Sequence, residues 1–220
     1  MTATRLTAAG RRASIIVAAR GVFARYGLEG ARTQQIARAA GVSEALLFRH
    51  FPTKTHIYRA VLRSIITEQN AFLRKTALTE PSTRGLLLVI HQLLANALEG
   101  DRADNAEGMR MVVGSLAGDG HYARLIYRRA LRLSMPTLER ALAAARAEGG
   151  VVGTPLSSAN AGALLEHVAT MILMARCHPR SAVPYDDARL LSDGILFCGR
   201  GLGIAEPRIM AYLDEITKSA

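Results

Sequence analysis

Apolar residues recur through this chain at steps of three and four, and no stretch alternates at period two, a pattern that limits the fold to packed helices. Ile15, Ala19, Val22, Phe23 and Tyr26 share one face of a helix expected to end at Gly27, since glycine suits the left-handed position past a helix C-terminus. Thr33 reads as the N-cap of a short second helix with Ile36, Ala37 and Ala40 on its apolar face, closed by Gly41. Ser43 reads as the cap of a third helix over 44–51, which Pro52 stops. A fourth, 53–75, would bury Ile57, Tyr58, Val61, Leu62, Ile65 and Ile66. Beyond Pro81 the expected helices lengthen, to 83–99, 105–117, 121–148, 157–178, 185–203 and 206–218, separated by glycine- and proline-rich punctuation. The fold class is therefore all-α. A three-helix head over 9–55 precedes a larger helical body over 56–220, with helix 53–75 connecting them. The first eight or so residues and the loops at 100–105 and 149–156 read as disordered.

Charge is distributed unevenly along these 220 residues. Residues 1–60 hold ten Arg or Lys against only Glu29 and Glu44, a balance of +8; the rest holds 18 basic and 16 acidic groups, completing the chain's net +10. A short, strongly basic head on a nearly neutral body points to a polyanionic partner. Cys177 and Cys198 lie in apolar helical patterns with no Cys-x-x-Cys or metal-ligand spacing, and read as reduced core residues of a cytoplasmic protein. The run from Ala13 to Ala19 imitates an export signal, but Arg20 and Arg25 interrupt it and no small-residue cleavage site follows. No uninterrupted apolar stretch approaches the roughly 18 residues that span a bilayer, so no membrane partner is expected.

Two short helices joined by Ala40-Gly41-Val42-Ser43 have the length and turn chemistry of a helix-turn-helix, whose second helix enters the major groove. Val42, Leu47 and Phe51 should face back toward Ile36 and Ala37, leaving Glu44, Ala45, Leu46, Phe48, Arg49 and His50 outward. Core packing does not explain an outward Leu46 and Phe48; thymine methyls and sugar edges would.

These residues resemble a known family. The pattern Thr33-x-x-Ile36-Ala37-x-x-Ala40-Gly41-Val42-Ser43-x-x-x-Leu47-Phe48-x-His50-Phe51-x-x-Lys54, with Phe23-x-x-Tyr26-Gly27 before it, is similar to the DNA-binding head of TetR-family transcriptional regulators. The resemblance covers residues 11–60, about a quarter of the chain, while the remainder agrees only in length and helical class. It implies that Thr33, Ser43, His50 and Lys54 meet backbone phosphates, that Gln34 points toward the groove, and that Glu44, Ala45, Leu46 and Arg49 face bases. Arg49 is the best candidate for guanine readout, because its fork can bond O6 and N7 together. The chain departs from the commoner pattern at Phe48, where tyrosine usually offers a hydroxyl to phosphate, at Ala45, where glycine is frequent, and at Thr55, where glutamate is.

The same resemblance implies a ligand-responsive regulator, a repressor that binds a near-palindromic double-stranded operator as a homodimer and is released by a small molecule. For the dimer interface, 157–178 and 185–203 offer small residues, Ala161, Gly162, Ala169 and Gly194, among Leu165, Ile172, Leu190 and Ile195; an intramolecular helix pair would show the same pattern. An effector cavity would draw on Met109, Met111, His121, Tyr127, His167, Met171, Met174 and Phe197, each of which also fits plain core. No cofactor is expected. A helical enzyme has little support, since the six histidines are scattered and no phosphate loop or nucleophile elbow is present; convergence of His121, Cys177 and His178 on a metal would need the fold to bring them together. A membrane-surface helix at 11–26 lacks tryptophan and explains the head's charge less well.

Overall fold

The computed structural model describes residues 6–77, 79–99, 103–118, 120–176 and 186–219. Within them run ten helices: α1 (Ala8–Gly30), α2 (Thr33–Ala39), α3 (Glu44–His50), α4 (Lys54–Ala77), α5 (Thr83–Leu98), α6 (Ala103–Ala117), α7 (His121–Ala147), α8 (Ser158–Arg176), α9 (Asp187–Gly201) and α10 (Glu206–Ser219). Among the described residues the one extended pairing is an isolated antiparallel bridge between Val151 and Ile204, and no helix is long and apolar enough to cross a membrane. The periodicity thus located every element, with most ends within two residues of expectation.

Two ends differ for physical reasons. Gly27 does turn left-handed (φ 68°, ψ −178°), but the chain resumes one further helical turn and α1 closes at Gly30. α2 begins one residue earlier than expected, with Arg32 and not Thr33 as its N-cap and the Arg32 backbone N–H donating to Gln35 Oε1 at 2.9 Å.

The chain divides into two compact units, Met1–Asn70 with Glu107–Ile126, and Ala71–Ala106 with Tyr127–Ala220. In the first, Ile15, Ala19 and Phe23 of α1 are buried, as are Ile36 and Ala37 of α2, Leu47 and Phe51 at α3, and Ile57, Val61 and Ile65 of α4. The Phe23 and Tyr58 rings meet edge to face at 5.0 Å. Arg20, which interrupts the apolar pattern of α1, is itself buried: Nη1 donates to Glu68 at 2.8 Å and Nε lies 3.8 Å from Glu107. Its charge therefore belongs to the interior of this unit and not to an exposed footprint.

The second unit has its own core, built from Leu86, Leu87, Ile90 and Leu94 of α5, Leu138, Ala141 and Leu142 of α7, Ala161 and Leu165 of α8, and Ile195 and Cys198 of α9. The small residues expected to meet a partner chain lie inside it. A Cβ on Gly162 would come within 2.7 Å of Met135 Sδ, one on Gly194 would touch Leu94, and Ala161 and Ala169 are buried. Periodicity marks a close-packed face but does not say which helix it meets. Residues 150–152, inside a loop expected to be disordered, are paired: Ala205 N donates to the Gly150 carbonyl and Val152 N to that of Gly203. Just before them, Glu148 Oε2 accepts from both the backbone N–H and the hydroxyl of buried Thr83, at 2.8 and 2.6 Å, which holds its carboxyl below the usual range.

Candidate nucleic-acid interface

The turn between α2 and α3 depends on Gly41. At φ 62° its N–H bonds the Arg38 carbonyl while Val42 N bonds that of Ala37, the paired closure of a helix whose next residue is left-handed. The chain then leaves in an extended conformation at Ser43, whose hydroxyl accepts from Leu46 N at 3.2 Å. A cap of this kind contributes about 1 kcal/mol. Leu47 is wholly buried and Phe51 nearly so, anchoring α3 by one edge. Burial of such a side chain is worth roughly 1.5–3 kcal/mol.

The rest of α3 faces away from this core. Glu44, Ala45, Phe48 and Arg49 are exposed, Phe48 to 44 %, while Leu46 and His50 are half-buried. Gln34 of α2 is exposed and Thr33 half-buried, and the Thr33 hydroxyl donates to Glu44 Oε1 at 2.7 Å. That bond joins the first residues of the two helices, so a residue expected on phosphate donates its hydroxyl proton to one expected on bases. At the far end, Lys54 Nζ donates to the carbonyls of Glu29 and Ala31 at 3.2 and 3.1 Å. Of its three N–H donors one is left for an anion. The C-terminal end of α3 is held by a residue that sequence reading counted only as charge: Arg12 Nη1 donates to the His50 carbonyl at 2.9 Å, with the guanidinium carbon 4.1 Å above the centre of the Phe51 ring.

The body residues offered for an effector cavity differ in exposure. His167, Met171 and Phe197 are exposed, the last two to 60 and 69 %. Met109, Tyr127 and Met174 are half-buried and Met111 is buried; the His121 side chain, Cys177 and His178 lie outside the described residues. Among the described residues no three His, Cys, Asp or Glu converge on a metal position. Two polar groups of the second unit escaped the sequence reading. Gln92 Oε1 is enclosed with no hydrogen-bond partner, and Glu166, half-buried on α8, has its carboxyl pushed up by burial. Gln92 lies midway between buried Ile90 and Leu94, and Glu166 follows buried Leu165.

Comparison with known proteins centres on the same head. Residues 15–61 match the family model of bacterial regulatory proteins, tetR family. The HTH-type transcriptional regulator RutR of Escherichia coli (strain K12) is 43 % identical over 56 residues, 26 % of each chain. The HTH-type transcriptional activator FasR of Mycolicibacterium smegmatis is 30 % identical over 102 residues, 46 % of this chain and 45 % of that one. The match therefore spans about a quarter to under half the length of these curated relatives. A crystal structure of a transcriptional regulator from Rhodococcus sp. Rha1 superposes with a TM-score of 0.61 over 88 % of this chain and 98 % of that one, at 26 % identity. Residues 15–61 thus carry a head of the tetR family of bacterial regulatory proteins, and the chain as a whole is similar in fold to a solved transcriptional regulator.

Proposed function

We propose that the protein is a sequence-specific DNA-binding transcriptional regulator that inserts α3 into the major groove. The observation that carries this reading is the division of α3 into a buried edge, Leu47, and an outward face on which Phe48 and Arg49 stand exposed without core packing to explain them. Arg49 reads guanine, Glu44, Ala45 and Leu46 face neighbouring bases, and Phe48 packs on thymine methyls or sugars. Thr33, Ser43, His50 and the remaining donor of Lys54 meet phosphates, and Gln34 points toward the groove. The head occupies residues 9–55.

The regulator acts as a homodimer through α8 and α9. Leu164 and Met171 of α8 and Phe197 of α9 are large apolar groups left outside the core, and these support the assignment in place of the inward-facing small residues. Two heads then address a near-palindromic operator with half-sites about one helical turn apart or somewhat more. A small effector binds the larger unit, and its binding releases the repressor from DNA. Selection of bound fragments from a random duplex pool at physiological salt tests the reading. An enriched inverted repeat is expected; retention of all sequences alike would overturn it.

A further inference from the structure

Arg12 lies in α1, outside the helix-turn-helix, and yet makes its two contacts at the end of the recognition helix. The last carbonyls of any helix lack intrahelical partners, and α3 ends abruptly because Pro52 cannot continue it. Leu47 O is satisfied by Phe51 N. The His50 carbonyl receives Arg12 Nη1 instead, 38 residues away in sequence, so that a positive group sits against the negative end of the α3 dipole. The same guanidinium stacks on Phe51, which is 1 % exposed and fixed in the core of the head. Arg12 is half-buried and is thus anchored on one side to α1, on the other to both the backbone and the ring that terminate α3.

We infer that Arg12 is a positioning residue for DNA recognition. It sets the direction in which α3 leaves the head without touching bases or phosphate. A seven-residue helix is too short to hold its own axis, and the N-terminal end is tied by Ser43 and by the bond from Thr33 to Glu44. Arg12 ties the other end. Without it the reading residues remain present but are aimed loosely.

The inference rests on the DNA-binding reading, and its test separates the two. In the full-length protein, Arg12→Met keeps the apolar stem over Phe51 and loses the donor and the charge. Its affinity for the selected operator should fall roughly tenfold, the scale of one lost base-pair contact, while affinity for an unrelated duplex falls less than about twofold. The slope of log affinity against log salt should stay within about half a unit of the parent, and Arg12→Lys should recover part of the loss. Amide exchange, which needs no DNA, should quicken across α3 and not across α1. Equal losses on both duplexes with the slope reduced by about 0.9 would make Arg12 a phosphate contact and overturn the inference. So would a lowered melting temperature with an unchanged ratio between the two duplexes, or unchanged exchange in α3. If the parent protein enriches no operator, the DNA reading fails, and the exchange rates of α3 alone then decide whether Arg12 holds that helix.

Discussion

Lys54 donates to the carbonyls of Glu29 and Ala31, at the point where α1 ends and the chain turns toward α2, and keeps one N–H for the proposed phosphate contact. Lys54→Ala should weaken binding to every duplex alike and lower the salt slope by about 0.9, measured by titration at several salt concentrations. A variant with the parent's slope would remove Lys54 from the phosphate contacts. Arg20 illustrates what a count of charges cannot contain. It contributes to the basic balance of the head on paper, but Glu68, 48 residues later, and Glu107 take it into the interior. Arg12 likewise meets its partners across 38 residues. Residue type and local spacing disclose the outward face of α3, because helical periodicity sorts it from Leu47 by itself; they do not disclose partners that only the fold brings near.

At the level of elements, helix ends and turns were the most legible features, since glycine and serine act through their own backbone and hydroxyl chemistry. The left-handed turns at Gly27 and Gly41 and the Ser43 cap follow from local sequence. The shift of the α2 cap from Thr33 to Arg32 does not, because Arg32 has no side-chain cap bond of its own and is recognised only by its extended backbone and the bond from its N–H to Gln35. Both glycines leave open space where a Cβ would stand, so an alanine at either place meets only backbone strain. Gly41→Ala should cost about 1–2 kcal/mol, whereas Gly27→Ala, with ψ near 180° in a region almost confined to glycine, should cost toward the upper end of about 1–3 kcal/mol. Urea denaturation of the two variants measures this. Equal or negligible losses would contradict the conformations assigned to these turns. The side of α8 and α9 that faces outward was not legible, because small residues and large ones were both periodic and the close neighbours of Gly162 and Gly194 come from α7 and α5.

For the whole molecule, the proposed dimer rests on the outward apolar groups Met171 and Phe197. Phe197→Glu should sediment as a monomer at a concentration where the parent is a dimer, and should lose preference for a two-half-site duplex over a single half-site. A monomeric parent, or a variant still dimeric, would place the interface elsewhere or remove it. Dimer symmetry matters only if α3 reads sequence, and Arg49 is the residue whose removal reports on that directly. The decisive measurement is a repeat of the duplex-pool selection with Arg49→Ala beside the parent. Arg49 bonding one guanine predicts that the variant's motif loses its preference at one symmetry-related position in each half-site, a loss of about 1–3 kcal/mol in discrimination there, with spacing and the other positions kept. An unchanged motif would show that α3 is not read through Arg49, and a motif absent from both proteins would show that the head binds DNA without reading it.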